Sequence, residues 1–303
     1  MTDCHAYLII AHNQFDLLKK VIKMLDHPKH HIYVHISKKV KIFPKDEFDG
    51  LTKYSPVVFT PRVPVSWGAY SQVESELTLI DSAISKEYGF YHIISGVDMP
   101  LKTADEIYNF FEANKGKEFV EFMTDDENIA TDQFVENTKN RINSYQLFRQ
   151  YIPRNKDTFL KRQQSRLIYW QKRFGVDRVK TLDRKIGRGS NWISISHELA
   201  SYIIANRKWI KKHFNYTFCC DEIFLQTLME GTDFKNRLYA DKDGRRANMR
   251  FIDWERGRPY TFTDDDYDEL MSSGYMFARK FDSGKYPEIC ERIYKTVMER
   301  QLQ

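Results

Sequence analysis

The sequence of 303 residues has few cysteines and no long apolar run. Its four cysteines lack metal-binding spacing and two of them are adjacent, so we expect neither a disulfide framework nor a zinc site. Because no apolar run reaches about 18 residues, the sequence predicts no membrane-spanning helix. The first residues also lack the basic start and long apolar core of a signal peptide, so we expect a cytoplasmic protein.

Several common catalytic motifs are missing as well. The sequence contains no phosphate-binding Gly-x4-Gly-Lys-[Ser/Thr] loop, no Gly-x-Gly-x-x-Gly turn and no Gly-x-Ser-x-Gly elbow. His197-Glu198 is not followed by the second histidine that a zinc protease requires. These absences argue against the commonest nucleotide hydrolases, dinucleotide-dependent oxidoreductases, serine hydrolases and zinc proteases.

The composition is that of a globular protein, and the first part of the chain alternates between strand and helix patterns. Hydrophobic residues make up 42% and aromatic residues 15% of the sequence. The predicted strands are 6–11, 32–36, 56–59, 90–94 and 119–122, and the predicted helices are 16–25, 71–86 and 103–112. This alternation predicts an α/β fold, with a Rossmann-like, mostly parallel central sheet covered by helices on both faces. Ligands of such sheets bind at the carboxyl ends of the strands, here after Ala11, Ile36 and Ile94.

The charge is distributed unevenly along the chain. Residues 139–188 hold 15 Lys and Arg against three acidic residues, a net charge of +12, whereas the remainder carries −7. Such a segment can face nucleic acid, anionic lipid, a phosphorylated ligand or water, and no nucleic-acid-binding motif accompanies it. Later predicted elements are a strand at 191–195 and helices at 157–174, 197–206, 221–230 and from 287 onward. We expect one domain over 1–303, divided into 1–122, a basic insert at 123–190, and 191–303.

Four stretches resemble, in order and spacing, the Core-2/I-branching β-1,6-N-acetylglucosaminyltransferase family (glycosyltransferase family 14). They are Ala6–His12 with Ile32–Lys39, Ser66–Val73 with Tyr91–Thr103, Gly189–Ser196 with Asp221-Glu222, and Phe251–Trp254 with Arg258 and Phe277–Asp282. The resemblance implies a GT-A glycosyltransferase fold, inversion at the sugar carbon and no need for a divalent metal. The chain looks like a bacterial-type member of the family. By this resemblance, residues 1–122 would form the nucleotide-sugar half and residues 191–303 the catalytic and acceptor half.

The resemblance also implies roles for particular residues. The family's catalytic base falls on Glu222, since an inverting transfer needs one group to take the proton of the acceptor hydroxyl. The two cations that replace a metal at the donor diphosphate fall on Arg258 and Lys280. The fourth predicted strand ends in Gly96-Val-Asp98, which has one carboxylate where metal-dependent relatives place an Asp-x-Asp clamp. No metal and no cofactor besides the UDP-sugar substrate are therefore expected.

The donor residues follow from the same comparison. Ala11 and His12 end the first strand, where the family contacts the nucleotide. After the second strand this chain has Ser37 where the family pattern has an aspartate, which puts nucleotide affinity and base preference in question. Asp98 is a candidate for the donor-sugar hydroxyls, with a turn-stabilising role as the alternative.

The acceptor candidates carry aromatic faces or charged hydrogen-bonding groups, which suit sugars. They are Glu121, Arg141, Trp192 and Trp254, and core packing is the alternative role for the two tryptophans.

The leading hypothesis is a metal-independent inverting enzyme that moves a sugar, N-acetylglucosamine by resemblance, from a UDP-sugar to a glycan or lipid-linked glycan in cell-surface polysaccharide synthesis. Alternatives are a peptide O-xylosyltransferase, a non-catalytic sugar-nucleotide binder and a nucleic-acid-binding protein, although we expect no nucleic-acid partner. The predicted helix 157–174 mixes cations with large apolar residues, so it predicts peripheral binding to the inner face of an anionic membrane. In the alternative, its apolar residues pack onto the domain.

Overall fold

The computed structural model describes residues 2–154 and 156–303, and its centre is a five-stranded sheet of order β3-β2-β1-β4-β6. The first four of these strands in the chain are parallel to one another, and β6 is antiparallel to β4. The strands are β1 (His5–Ala11), β2 (His30–Ile36), β3 (Val57–Phe59), β4 (Phe90–Ser95), β5 (Asp98–Pro100), β6 (Ser194–Ser196), β7 (Arg250–Ile252) and β8 (Phe277–Arg279).

Helices cover both faces of this sheet, because the central strands bury side chains on both sides. On β1, Tyr7 and Ile9 join one apolar cluster, whereas Ala6 and Leu8 join the other. The helices are α1 (Phe15–Met24), α2 (Ser71–Ala83), α3 (Ala104–Ala113), α4 (Asp132–Asn143), α5 (Phe159–Arg173), α6 (His197–Ala205), α7 (Arg207–Phe214), α8 (Phe224–Met229), α9 (Asp233–Asn236), α10 (Tyr267–Ser272) and α11 (Pro287–Gln301). Helices α1, α3 and α11 pack on the first cluster, and α2, α6 and α7 pack on the second. The predicted α/β fold, with a mostly parallel central sheet and helices on both faces, is confirmed.

A second, three-stranded sheet joins distant parts of the chain. Strand β8 lies between β5 and β7, antiparallel to β5 and parallel to β7. The β5–β8 register pairs Asp98 with Arg279. This pairing brings residues 277–279 next to the segment that follows β4, at the edge of the central sheet where ligands of α/β sheets bind.

Three predicted elements differ from the structure. Residues 119–122 do not form a strand, since Phe119 makes only an isolated bridge to Ser194. Beyond it, the carbonyl of Glu121 accepts from the Gln226 side chain instead of a neighbouring strand. The predicted helix 221–230 is a 3-10 turn followed by α8, and the predicted strand 191–195 is shifted to β6.

The predicted helix 103–112 is α3 in the structure. Thr103 caps this helix with a capping box, in which its hydroxyl accepts from the Glu106 amide and the Glu106 carboxylate accepts from the Thr103 amide. Among residues 2–154 and 156–303, no helix has the length and apolar character needed to cross a bilayer.

Candidate active site

The candidate site, called the cleft below, lies where the chain order of the central sheet reverses. From β1 the chain proceeds to β2 and β3 on one side, and β4 then returns to the other side of β1. Gly96, just after β4, lies so close to β1 that a Cβ there would be 2.8 Å from the Ala11 Cβ. His12 follows β1 and is exposed. The cleft partly desolvates its ring and Arg279 lies nearby, so the pKa of His12 is lower than usual. Ala11 and His12 therefore lie at the switch point, where α/β sheets bind ligands.

Ser37 follows β2, but its side chain is directed into the protein. The residue is buried, and its hydroxyl oxygen accepts hydrogen bonds from the amides of Val65 at 3.3 Å and Lys39 at 3.4 Å. Arg62 donates to the Ser37 carbonyl at 2.8 Å. In this structure the hydroxyl stabilises the loop after β3, and the nucleotide-contacting role predicted for it stays a prediction.

Asp98 lies at the tip of β4, where its carboxylate is enclosed. The residue is 1% exposed and accepts hydrogen bonds from the Ser95 amide at 2.8 Å, the Ser95 hydroxyl at 2.8 Å and Arg279 at 2.6 Å. This geometry matches the turn-stabilising alternative, because the carboxylate oxygens are already paired. The Arg279 guanidinium in turn stacks over the Trp192 ring at 4.3 Å, so Asp98 fixes a cation and an aromatic face in the cleft.

The two cations expected to bind the diphosphate lie on adjacent segments. The Lys280 amide donates to the Tyr260 carbonyl, two residues beyond Arg258, and the Phe262 amide donates to the Lys280 carbonyl. Arg258 is exposed and Lys280 is half-buried, and neither side chain has a hydrogen bond or ion pair within the described parts of the chain. Partial burial, followed by the positive charges of Arg279 and Arg154, lowers the pKa of Lys280. An anion at this rim would relieve that repulsion.

Glu222, the expected base, has one paired and one free oxygen. Its Oε2 accepts hydrogen bonds from Arg141 at 2.6 Å and from Arg188 at 3.2 Å. The side chain is 33% exposed, and Oε1 has no hydrogen bond from any residue that the structure describes. Two guanidinium groups therefore orient the carboxylate while one oxygen remains available to a proton.

The backbone around Glu222 explains why glycine occurs at residue 189. The Gly189 amide donates to the Glu222 carbonyl at 3.0 Å and holds the 3-10 turn at 220–222 against the neighbouring segment. A Cβ at Gly189 would lie 1.8 Å from the Glu121 carbonyl oxygen, a distance that no side chain tolerates. Gly189 thus allows the Glu121 and Glu222 segments to approach each other.

Asp221 points the opposite way from its neighbour. It is buried, accepts a hydrogen bond from Gln72 at 2.8 Å, and shares Asn191 with the buried Glu76 at 3.5 Å each. Burial raises the pKa of Asp221 to about 7, with the Glu222 charge as the second cause, and burial also raises the pKa of Glu76. Asp221 and Glu76 therefore support the 3-10 turn at 220–222 through buried hydrogen bonds.

The acceptor candidates do not all occupy one surface. Trp254 is 45% exposed and lies near Arg258 in sequence, and Trp192 lies under Arg279. The carboxylate of Glu121 pairs with Arg246 at 3.1 Å, and burial raises its pKa. Arg141 donates to Glu222 in this structure, and its role in acceptor binding stays a prediction.

Sequence reasoning missed Arg188, Arg246 and Arg279. Arg279 lies within a stretch that carries the family resemblance and Arg188 immediately precedes another, and this placement is the one signal that could have indicated them. Arg246 had no such signal. Within the two described ranges, no three His, Cys, Asp or Glu side chains are grouped so as to hold a metal ion.

The arrangement combines an oriented carboxylate with unpaired cations at the ends of parallel strands. The carboxylate can accept a proton, and the cations can stabilise negative charge that develops on a departing phosphate. This chemistry suits group transfer from a phosphorylated donor.

Sequence comparisons match the chain to one protein family and to several named relatives. The family model described as "Core-2/I-Branching enzyme" matches residues 5–271. Xylosyltransferase 2 of Canis lupus familiaris is 22% identical over 307 residues, which cover 94% of this chain and 33% of that protein. The xylosyltransferase of Ciona intestinalis is 20% identical over 308 residues, with coverage of 95% and 33%. The chain thus spans about a third of the length of these curated relatives.

Among solved structures, the crystal structure of apo mouse xyloside xylosyltransferase 1 aligns with a TM-score of 0.39 and 10% identity. The alignment covers 92% of this chain and 97% of that one.

Proposed function

This chain belongs to the Core-2/I-branching enzyme family, and from that premise we propose that it is an inverting glycosyltransferase that works without a metal ion. Its donor is a UDP-sugar, and its acceptor is a hydroxyl of a glycan or lipid-linked glycan in polysaccharide synthesis. The observation that carries the proposal is the Glu222 carboxylate, which two arginines hold by one oxygen while the other is free.

In the proposed reaction, Glu222 Oε1 takes the proton of the acceptor hydroxyl as its oxygen bonds to the anomeric carbon. The bond from that carbon to the diphosphate oxygen breaks on the opposite face, so the configuration inverts. The electron pair of the broken bond leaves with the nucleoside diphosphate. A single carboxylate suffices because the leaving group needs charge stabilisation and not a proton donor.

Arg258 and Lys280 supply that charge stabilisation. A guanidinium can bind two phosphate oxygens at once, and an ammonium acts as a compact point charge. Neither side chain would have to break an existing ion pair within residues 2–154 and 156–303 before it binds the diphosphate. Since Asp98 is enclosed by Ser95 and Arg279, we assign it a positioning role and leave donor-sugar contacts to Arg279 and Trp192.

There are two candidates for the transferred sugar. N-acetylglucosamine follows from the resemblance of the four sequence stretches to the branching enzymes. Xylose is favoured by the relatives that cover 94% and 95% of this chain, which are named xylosyltransferases.

A thermal-shift panel of UDP, UDP-N-acetylglucosamine, UDP-xylose and UDP-glucose, with and without EDTA, tests the proposal. A ligand that binds only the folded state raises the melting temperature by mass action. We expect UDP and one UDP-sugar to raise it equally in EDTA and in Mn²⁺, and that sugar to be transferred or slowly hydrolysed. Binding that requires Mn²⁺ would contradict the metal-free mechanism, and binding without any turnover would favour a non-catalytic sugar-nucleotide binder.

A further inference from the structure

Large apolar side chains are unusually exposed in one part of the basic segment. Five of them are more than half exposed within residues 151–174: Tyr151, Phe159, Tyr169, Trp170 and Phe174. Phe159 and Phe174, at the two ends of α5, are 72% and 78% exposed. Clustered exposed apolar groups of this size mark interaction surfaces in soluble proteins.

The side of α5 that faces the rest of the protein carries Gln164, Gln171 and half-buried aliphatic residues, and the large aromatic residues lie on the opposite side. Gln164 is its one fully buried residue and exchanges hydrogen bonds with the Phe148 amide at 2.8 Å and the Tyr145 carbonyl at 3.1 Å. Gln171 binds both backbone groups of Tyr145 on the same side. The sequence-based alternative, in which the apolar residues of this helix pack onto the domain, does not describe Trp170 and Phe174, which are exposed, whereas Leu160, Leu167 and Ile168 are half-buried.

The outward side of α5 combines aromatic rings with cations. Residues three or four apart lie on the same side of a helix, and this spacing defines what we call the docking face. Its members are Phe159, Arg162, Arg166, Tyr169, Trp170, Arg173 and the adjoining Phe174. Three of the rings form a continuous group, since Tyr169 and Trp170 have centroids 5.5 Å apart and Trp170 stacks on Phe174 at 5.8 Å.

The cations of the docking face are largely uncompensated. Arg162 pairs with the exposed Asp157, whereas Arg166 and Arg173 have no acidic partner in the described portion of the chain. The segment 139–188 around them carries a net charge of +12. A binding partner must therefore be both negatively charged and able to accept protruding aromatic rings.

We propose that the docking face binds the surface of an anionic lipid bilayer, with α5 lying in the plane of the interface. The aromatic rings would enter the headgroup region while the arginines contact lipid phosphates. The ends of α5 favour a bilayer over single-stranded nucleic acid. Phe159 and Phe174 stand about 22 Å apart at 1.5 Å per residue, which suits an extended interface better than one stacking platform.

Docking would also orient the cleft. The chain before α5 contacts the loop after β3, where Arg149 donates to the Trp67 carbonyl at 3.1 Å and Gln150 donates to the Pro64 carbonyl at 2.7 Å. Arg154 lies over the Trp67 ring, and its charge contributes to the lowered pKa of Lys280 at the rim. The rim would thus lie beside the bilayer, within reach of an acceptor anchored in lipid. This inference does not depend on the reaction that the cleft performs.

Vesicle co-sedimentation of the full chain tests the proposal. The vesicles are phosphatidylcholine alone, and phosphatidylcholine mixed with phosphatidylglycerol in equal parts. The first variant is Arg162→Gln with Arg166→Gln and Arg173→Gln, and the second is Trp170→Ala with Phe174→Ala. The matched control removes three exposed cations of α7, by Lys208→Gln, Lys211→Gln and Lys212→Gln.

We expect binding to the anionic vesicles only, with a steep loss at high salt. The arginine variant should bind on the order of a hundredfold more weakly, since each cation at an anionic surface contributes several-fold. The aromatic variant should bind about tenfold or more weakly, and the α7 control should bind nearly as the wild type does.

Equal binding to both vesicle types, no binding to either, or an equal loss in the α7 control would each overturn the proposal. Salt-sensitive binding of a single-stranded oligonucleotide without vesicle binding would identify nucleic acid as the partner instead. Self-association that the aromatic variant abolishes, again without vesicle binding, would assign the docking face to a second copy of the chain. Melting temperatures of the variants check that each one folds.

Discussion

The cations on the two sides of the cleft differ in whether they have an acidic partner. Around Glu222, Arg141 and Arg188 are both engaged with one carboxylate oxygen. At the rim, Arg258 and Lys280 have no acidic partner among the described residues, and neighbouring positive charges contribute to the lowered pKa of Lys280. In the proposed mechanism, the first arrangement orients the base before substrate binds, and the second leaves positive charge for the diphosphate to neutralise.

The largest expected effect comes from Glu222→Gln, which removes the base and keeps the shape of the side chain. Turnover should fall about 10²–10⁴-fold, the range typical of general-base catalysis, while UDP binding at the other side of the cleft changes little. Initial rates and UDP titrations measure the two quantities separately. Glu136→Gln, on the exposed face of α4, is the matched control and should retain full activity. A Glu222→Gln variant with more than about a hundredth of the wild-type rate would remove Glu222 from the role of base.

The rim is probed by Lys280→Ala and, separately, by Arg258→Ala. Each should weaken UDP binding about tenfold to a hundredfold, because a hydrogen bond to a charged group contributes about 1.5–3 kcal/mol. Isothermal titration with UDP and with uridine measures the effect, and uridine affinity should not change. Lys295→Ala, on the exposed side of α11, serves as the charge-matched control. An equal loss of uridine affinity would mean that these side chains support the fold of the site and not the diphosphate.

Arg188→Gln should have a smaller effect, since Arg141 still holds Glu222 at the shorter distance of 2.6 Å. We expect kcat to fall about tenfold with an unchanged KM for the donor, as an orienting contact to the base acts mainly in the transition state. Steady-state kinetics separates the two parameters, and Arg188→Lys should recover part of kcat. A rise in donor KM without a fall in kcat would place Arg188 with the binding cations of the rim.

The smallest effect concerns Asp221, the buried neighbour of Glu222. Its pKa of about 7 in the folded protein exceeds the ordinary value of 3.8, so the folded state binds more protons between these values. Stability therefore falls as pH rises from about 4 to about 7 and stays lower above that. Asp221→Asn removes this titration, and its melting temperature should exceed that of the wild type by several degrees at pH 8 and by little at pH 4.

Melting curves across this pH range measure the difference. Asp49→Asn, at an exposed position, should show no such pH-dependent gain. If Asp221→Asn were equally destabilised at both pH values, Asp221 would act through its hydrogen bonds with Gln72 and Asn191 and not through its charge.

Local patterns predicted the first half of the fold because its interactions are local. The apolar runs of β1, β2 and β4 and the capping box of Thr103 and Glu106 depend on residues near one another in sequence. The second sheet could not be predicted from local patterns, because its strands come from distant parts of the chain. Residues 98–100 lie outside the predicted strand 90–94, and they form β5 only by pairing with β8.

The sequence indicated which residues belong to the candidate site, but it did not indicate the contacts that these residues make. The resemblance indicated Glu222, Arg258 and Lys280, which lie in the cleft region, although their roles stay predictions. No spacing rule could show that Arg141 would reach across 81 residues to Glu222, or that Asp98 would be enclosed by Arg279. Long-range ion pairs depend on the packing of distant segments, which a single sequence does not display.

The β5–β8 pairing also sets the order in which the cleft can be completed during synthesis. Asp98 emerges from the ribosome 181 residues before Arg279, and burial of its carboxylate without that guanidinium would be costly. A nascent chain can therefore form the parallel strands β1, β2 and β4 early, but the tip of β4 should remain hydrated until β8 arrives. Translation that stopped short of β8 would leave a protein with most of its sheet and without a donor site.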